Sequence, residues 1–359
     1  MNILKKSLIG LTIFTLLGLT TIYASDTKSG GVVVTDENFI AADSMRAYLK
    51  ELAKTGNKVN VIRPMRELAN TDNQDVIRMN ADTLYTRIIL DVKGGATVTT
   101  KPYDGYQNIL VLDPNHSEIA THTGAGTVKL NESMLTEGHH AYIIVRTGLL
   151  RKLPEKEMFA RAHKAQDNIS ITYHLSEPYV PAVNYDLTTL DKVKYKILED
   201  FAKQPKKDVI KNGFGTIKTR DPEGAKVVIA IGWGGLSGKS AVYSSFTASG
   251  ENFSYTFKKP NLKYDQKGFF SFTVYNENGY IATMKYALNS DDMVPNKGGS
   301  YTIHFLASGE PTNNLENVII TPRGKYWTGI LRCYNPVNSD ETFAYADALT
   351  AKMQKEFSK

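Results

Sequence analysis

Two long parts of the chain consist of short apolar runs separated by turn residues. The first part extends from residue 59 to residue 145, and its runs, rich in β-branched residues, lie at 84–90, 96–100, 108–112 and 141–145. The second part begins at Lys226, and its runs alternate between apolar and polar residues at 253–257, 270–274 and 301–305. Such alternation predicts half-buried antiparallel strands, and the turn at 276–279 followed by 280–286 predicts a hairpin. Short, regularly spaced strands favour a sandwich or barrel over a parallel sheet that alternates with helices.

Apolar residues three and four positions apart predict helices around and between these parts. The first predicted helix is capped by Asp36 and stopped by Gly56, and the others cover 154–167, 190–203 and 340–357. We therefore expect a mainly β protein of the α+β class with two sandwich-like or jelly-roll-like units. The expected order is an N-terminal β domain with flanking helices (26–175), a helical bridge (176–225) and a C-terminal β domain that ends in a helix (226–359).

The composition excludes several classes of protein but does not indicate an activity. A chain of 359 residues suggests two domains at about 150 residues each. With 42% hydrophobic and 22% charged residues, the chain is an ordinary globular one, which excludes wholesale disorder, collagen and coiled coil. The net charge of +6 is small for this length, so the composition does not predict nucleic-acid binding. The single cysteine, Cys333, excludes an intrachain disulfide and a four-thiolate zinc site.

The first 25 residues have the layout of a secretory signal peptide. Lys5 and Lys6 precede an apolar stretch at 8–19, and cleavage after Ala24 or after Ser25 fits the small residues there. The alternative is an uncleaved anchor, but the stretch is shorter than the roughly 20 apolar residues of a membrane span. We expect a periplasmic or secreted protein with no transmembrane segment after cleavage; the sequence leaves its oligomeric state open.

Several stretches resemble two bacterial domain families that occur together. The string at 80–85, Asn-Ala-Asp-Thr-Leu-Tyr, resembles the N-x-D-T-L-Y signature of the domain of unknown function numbered 1254. The segments 269–275, 299–305 and 331–336 resemble its partner domain, numbered 1214. The resemblance extends over about residues 36–338 and implies an exported, two-lobed, jelly-roll-like β protein. It implies no agreed reaction or cofactor, so any chemistry has to follow from the residues.

The signature strand is the first candidate for a binding site. In an extended strand Asn80 and Asp82 share one face, whereas Tyr85 and Arg87 lie on the other. These residues are suited to a polar ligand; the alternative is that Asn80 and Asp82 bind backbone N–H groups at the strand entry, as in Asx turns. Trp233, flanked by glycines, and Arg332 complete the candidate ligand-binding set.

Scattered arginines and tyrosines add a second line of reasoning. The arginines that lie among apolar neighbours are Arg63, Arg66, Arg78, Arg87, Arg146, Arg323 and Arg332. If several of them converge between the two lobes, they favour an anionic ligand such as a carboxylate or phosphate. Tyrosines are concentrated in the second unit, where they either line a cleft for a sugar or an aromatic molecule or cover the edges of a sandwich.

Histidines provide the candidate metal site. If 116–122 is extended, His116, Glu118 and His122 point the same way, as in a site with two histidines and one carboxylate that holds iron. The alternative is that they are ordinary surface residues. No G-x-S-x-G or H-E-x-x-H motif is present in the sequence.

Two hypotheses lead for the function, and a third option is an envelope-associated interaction protein. The first is a module that binds a small molecule or a saccharide at the signature strand and the lobe interface. The second is an enzyme, either a metal-dependent oxygenase or a hydrolase, that uses Asp82, His116, Glu118 and His122.

Overall fold

A computed structural model of the protein describes residues 29–203, 210–249 and 252–357, so the expected signal peptide lies outside the described residues. Strands and helices of the first half are β1 (Val32–Val33), α1 (Phe39–Lys54), β2 (Arg63–Pro64), β3 (Thr83–Asp91), β4 (Ala96–Thr100), β5 (Gln107–Leu112), β6 (Glu118–Thr123), β7 (Gly126–Leu130), β8 (His140–Gly148), α2 (Glu155–Asp167) and β9 (Ser170–Tyr173). Those of the second half are β10 (Tyr185–Asp186), α3 (Leu190–Lys203), α4 (Pro222–Ile231), β11 (Ala241–Ser249), β12 (Phe253–Lys258), β13 (Phe270–Asn276), β14 (Ala287–Asn289), β15 (Ser300–Ala307), β16 (Val318–Thr321), β17 (Tyr326–Tyr334) and α5 (Ser339–Phe357). The predicted mainly β, α+β class is confirmed.

The first β unit consists of two sheets packed face to face. A five-stranded sheet has the order β2-β3-β8-β5-β6, and a three-stranded sheet has the order β7-β4-β9. Ile88 and Ile143 of the larger sheet pack with Val98 and Leu130 of the smaller one in a shared apolar core. Because side chains alternate along a strand, the other face of the larger sheet points away from this core.

The second β unit repeats this construction with a helix added. Its four-stranded sheet has the order β11-β17-β13-β14, and its three-stranded sheet has the order β12-β15-β16. Phe272 and Leu331 of the larger sheet pack with Phe305 of the smaller sheet and with Leu349 of α5. As predicted from its apolar stripe, the C-terminal helix is amphipathic and covers this core.

Helices α1, α3 and α4 form one apolar cluster beside the sheets. Lys226, the expected start of the second β unit, lies in α4, and the first strand of that unit begins at Ala241. The Asp221 side chain accepts a hydrogen bond from Gly224 N (2.7 Å) and thus caps α4, and Pro222 occupies its first turn. The apolar run that follows is buried in this helical cluster, and a short buried run does not distinguish strand from helix.

Two other expectations need correction. The N-cap of α1 is Asn38, and Asp36 pairs with Lys226 instead. The predicted turn at 276–279 is present, since Gly279 N donates to the carbonyl oxygen of Asn276 (3.0 Å), but the strand that pairs with β13 begins only at Ala287. The run at 280–286 is bonded to β13 at its ends, where the backbone N–H groups of Asn276 and Val274 donate to the carbonyl oxygens of Tyr280 and Tyr286 (both 2.8 Å), while Ile281 N donates to Gln74 Oε1 (2.6 Å) in the first unit.

The turn between β5 and β6 joins the first unit to the loop after α4. His116 has φ +54° and therefore lies outside β6, contrary to the extended path assumed from the sequence. Its Nε2 accepts a hydrogen bond from Gly234 N (2.9 Å), and its ring lies edge-on to Trp233. An imidazole can accept this bond only while that nitrogen is unprotonated.

Among the described residues no helix has both the length and the apolar character of a membrane span.

The Leu331→Ala variant tests the core of the second unit. Leu331 is fully buried in β17, so we expect a loss of about 2–5 kcal/mol in the free energy of unfolding, measured by denaturant titration followed by circular dichroism. Tyr326→Ala on the same strand is the control, because Tyr326 is 57% exposed. A similar loss in both variants would contradict this description of the core.

The turn at His116 predicts a pH dependence of stability. Burial lowers the pKa of His116 from 6.5 to about 3. Between these values the unfolded chain binds a proton at this residue and the folded chain does not, so protonation favours unfolding by up to about 1.4 kcal/mol per pH unit. We expect the free energy of unfolding to fall with pH through this window, and the fall to be shallower in His116→Asn.

The control for this experiment is His174→Asn, since His174 is exposed. Both variants and the parent chain are compared by the slope of the unfolding free energy against pH. Equal slopes in all three proteins would show that His116 is protonated without cost in the folded state.

Candidate functional site

The outer faces of the two larger sheets meet between the β units. In the first unit Tyr85 of β3 lies opposite Arg146 of β8. In the second unit Arg332 of β17 lies between Tyr243 of β11 and Ser271 of β13. Arg332 and Tyr334 alternate along β17 with the core residues Leu331 and Cys333 and so point toward the first unit. The interface therefore buries polar side chains from both units.

The signature segment forms hydrogen bonds that connect the two β units. Asn80 Nδ2 donates to Tyr334 Oη (2.8 Å), and Asn80 Oδ1 accepts from Asp82 N (2.7 Å). The Asp82 carboxylate accepts from Ser271 Oγ (2.5 Å) and from Asn289 Nδ2 (3.1 Å). Asn80 thus makes the local Asx contact that the sequence offered as an alternative, while both residues also bind the second unit.

Arg332 is buried at the centre of this contact. Its Nη2 donates to Tyr275 Oη (2.8 Å) and to the carbonyl oxygen of Arg78 (3.0 Å). Its Nη1 is buried and has no hydrogen-bond acceptor among the described residues.

Arg146 reaches the same region from the first unit. Its Nη2 donates to the carbonyl oxygen of Gly234 (2.6 Å), and its guanidinium carbon lies 5.6 Å from the centre of the Tyr85 ring. Nη1 of Arg146 and the hydroxyl of Tyr106 are also buried without a partner among the residues described. Nη1 of Arg146, Nη1 of Arg332 and the Tyr106 hydroxyl are therefore buried donors of this interface without a partner in the described part of the chain, and two of them belong to cationic groups.

Electrostatic contacts place the two arginines close to the same tyrosine. Burial raises the pKa of Tyr243, and both Arg146 and Arg332 act in the opposite direction, so both charges are near its hydroxyl. Burial likewise raises the pKa of Tyr334, and Arg332 opposes this shift. The rings of Tyr106 and Tyr334 lie 5.5 Å apart between centres. The two guanidinium groups thus share a setting of buried, neutral tyrosines.

A cleft of about 470 Å³ opens between the units at Tyr106. Its walls include Gln107 and 121–124 of the first unit and Asn335 of the second. Its charged residues are Lys239, Lys263, Lys267 and Asp265. Positive charge therefore predominates where Tyr106 meets the surface.

Two of the predicted ligand-binding residues are engaged by partners outside this cluster, although the guanidinium carbon of Arg87 lies 5.6 Å from the centre of the Tyr85 ring. Arg87 Nη1 lies 3.1 Å from Asp75 Oδ2 and 3.8 Å from Glu51 Oε2, so its charge is already paired. Trp233 packs on Tyr142 and donates from Nε1 to Ser44 Oγ (3.4 Å). Trp233 nevertheless borders the site, because the next residue, Gly234, accepts from Arg146.

The predicted metal ligands do not meet. His116 binds Gly234 N, Glu118 accepts from Ser237 Oγ (3.0 Å), and His122 Nε2 bonds to the carbonyl oxygen of Ala125 (3.0 Å). Two backbone irregularities separate them. His116 adopts a left-handed turn, and a bulge between β5 and β6, where Leu112 pairs with Glu118 but Val111 pairs with Ala120, puts Glu118 and His122 on opposite faces. Asp82 is bound to the second unit, so the four proposed acid–base residues form no common site.

Sequence reasoning named Arg332 and Tyr85 for the site but not Arg146, Tyr106 or Tyr243. Arg146 is one of the scattered arginines, and the signal that distinguishes it is its position among the apolar residues of a central strand. Tyr106 precedes β5, where only the tertiary contact reveals its burial.

Comparisons with known proteins agree with this architecture. Residues 59–173 match the model of a family described as protein of unknown function (DUF1254), and residues 244–338 match that of protein of unknown function (DUF1214). No curated protein matches the chain.

Two solved structures are similar to the chain. The protein VPA0106 from Vibrio parahaemolyticus aligns with a TM-score of 0.62 at 15% identity, over 86% of this chain and 95% of that one. At this identity the likeness concerns the fold alone. An uncharacterized protein from Burkholderia cenocepacia aligns with a TM-score of 0.48 at 11% identity, over 83% of this chain and 84% of that one.

The family matches follow the order of the two β units and include the signature segment that joins them. The chain therefore belongs to the proteins that combine a DUF1254 domain with a DUF1214 domain, in that order along the sequence.

Proposed function

We propose that this protein binds a small carboxylate between its two β units, at Arg146 and Arg332. The observation that carries the proposal is that Nη1 of each arginine is buried and lacks an acceptor. No carboxylate of the described residues forms an ion pair with either guanidinium group. A ligand carboxylate would accept one hydrogen bond from each and neutralise part of their charge.

The energetics favour an anion over a neutral ligand. Each guanidinium group is hydrogen-bonded through Nη2 but leaves Nη1 unpaired among the described residues, and a buried donor without a partner costs about 1–3 kcal/mol, more when the group is charged. Charge-assisted hydrogen bonds to a carboxylate are about twice as strong as neutral ones, so a carboxylate offsets that cost better than a saccharide hydroxyl.

The tyrosines indicate which group is attached to the ligand's carboxylate. Arg146 lies over the Tyr85 ring and Arg332 over the Tyr275 ring, at 5.6 and 5.7 Å from the guanidinium carbon to the ring centre, while the Tyr106 hydroxyl is a further buried group without a partner among the described residues. Aromatic faces pack against flat apolar groups, which supports an aromatic carboxylate rather than inorganic phosphate. The lysines of the cleft at Tyr106 would attract such an anion.

Titration calorimetry of the full chain with benzoate tests the proposal. We expect the parent protein to bind benzoate, and Arg146→Gln and Arg332→Gln each to bind about 10- to 100-fold more weakly, because each loses a charged donor. The control is Arg323→Gln, since Arg323 is half exposed and paired with Glu310. We expect its affinity to equal that of the parent.

Two further probes identify the ligand class. If inorganic phosphate binds more tightly than benzoate, the ligand class is phosphate and the proposed carboxylate class is wrong. If glucose binds and neither anion does, the ligand class is a saccharide. Benzoate affinity that is unchanged in both arginine variants, with native circular dichroism, would overturn the proposed site.

We also propose that the chain is exported, on the basis of its N-terminal sequence. The expected outcome is that N-terminal sequencing of protein from the host envelope or medium begins at Ser25 or Asp26. Recovery of a chain that still begins at Met1 from those fractions would contradict cleavage.

A further inference from the structure

We infer that Asp91, His139 and His140 form a binding site for a divalent transition metal ion of the zinc class. Each of the three residues offers a donor atom, and these atoms lie within 4.8 Å of one another. Among the described residues this is the group of histidine and acidic side chains with that spacing. It is distinct from the set at 116–122 that the sequence suggested.

Strand pairing creates the cluster. Asp91 ends β3 and His140 begins β8, and the register of the two strands sets these residues directly opposite each other. His139 follows a turn and lies just before the first residue of β8. The alternation of side chains along a strand therefore does not force it onto the face of the sheet opposite to His140. The two imidazole rings consequently lie only 4.3 Å apart between centres, with an angle of 38°.

His140 is oriented as a metal ligand would be. Its Nε2 lies 2.8 Å from the carbonyl oxygen of Glu177, and a carbonyl only accepts, so Nε2 carries the proton. The other nitrogen, Nδ1, therefore keeps its lone pair. Metal-bound histidines generally donate their second ring N–H to a carbonyl or carboxylate, which fixes the tautomer and the ring.

Asp91 is a fixed and fully buried carboxylate. It accepts hydrogen bonds from Lys93 N (3.0 Å) and Glu177 N (2.8 Å), which hold both oxygens in place. His139 Nδ1 lies 2.9 Å from Asp91 Oδ1, the distance of a hydrogen bond that an ion would replace. Outer hydrogen bonds of this kind orient ligating carboxylates.

Glu177 lies beside the three metal-binding residues, but its carboxylate is bound to other groups. Its carboxylate is paired with Lys93 Nζ (2.9 Å) and lies 3.3 Å from His139 Nε2. Its charge is offset by Lys93, and its contribution to the cluster is through its backbone, which donates to Asp91 and accepts from His140.

The donor set defines the class of ion. Imidazole nitrogen with carboxylate oxygen suits Zn²⁺ and neighbouring transition metals, whereas Mg²⁺ and Ca²⁺ prefer oxygen ligands alone. Three protein ligands leave a tetrahedral ion one position for water. The His139 side chain is 25% exposed, so solvent has access to that position.

This site is independent of the proposed carboxylate site. Tyr85 and Asp91 are residues of the same strand, β3, and their separation along it corresponds to about 20 Å. A result at one site therefore leaves the other unaffected.

The experiment measures metal binding to the full chain without an affinity tag, after treatment with a chelator. We expect Zn²⁺ to bind with a stoichiometry of one by titration calorimetry, and Co²⁺ to give the visible absorption of a four-coordinate ion. His139→Gln and His140→Ala should each weaken Zn²⁺ binding at least about 10-fold, the usual effect of disturbing a metal site.

The matched controls are His304→Gln and His163→Ala. His304 contacts Ser254 in the second unit, and His163 contacts the carbonyl oxygen of Arg66, so neither belongs to the cluster. Both variants should bind Zn²⁺ as the parent chain does.

His139→Gln is the decisive variant, because the His139 side chain is partly exposed and can be replaced without unfolding the protein, as circular dichroism would verify. Absence of stoichiometric binding, or unchanged binding in folded His139→Gln, would leave the cluster as a hydrogen-bonded network and overturn the inference.

Discussion

The structure depends on a constraint at the interface between its β units: polar side chains that leave water there must find partners. Each larger sheet has an apolar face inside its own unit and an outer face of mixed character. On these outer faces Leu110 and Ile144 of the first unit pack with Phe269 and Tyr334 of the second, while buried polar side chains lie in the same interface. Asn80 and Asp82 satisfy many of these groups by binding Tyr334, Ser271 and Asn289. Because buried polar groups are costly when unpaired, these bonds specify how the units pack. In the same interface Nη1 of Arg146 and Nη1 of Arg332 are buried without an acceptor among the residues that the structure describes.

Much of the fold follows from local pattern. The strand at 96–100 and the helix at 190–203 have the bounds predicted from the sequence. Alternation and turn residues are local properties, which explains this agreement. The apolar run in α4 was misassigned because burial on several sides removes the periodicity that distinguishes strand from helix.

The site was predictable only in part. Asn80, Asp82, Tyr85 and Arg332 do meet at the lobe interface, because the signature lies where one strand enters the first sheet. The position of Arg146 among the apolar residues of a central strand distinguishes it from the other scattered arginines, but its convergence with Arg332 is a tertiary property that the sequence does not show. The set at 116–122 is not brought together because His116 has a positive φ and because a bulge in β6 separates Glu118 from His122, and neither irregularity is visible in the alternation of residues.

The contact between Asn80 and Tyr334 spans 254 residues of sequence. Closing so large a loop lowers the entropy of the chain, and this cost must be offset by other contacts. Long-range contacts of this kind slow folding. The strand entry of the first unit thus cannot reach its final hydrogen bonding until nearly the whole chain has been synthesised. Until then the outer face of that unit's larger sheet, including the apolar side chains that later pack against the second unit, would remain in water, and docking of the second unit would be a late step.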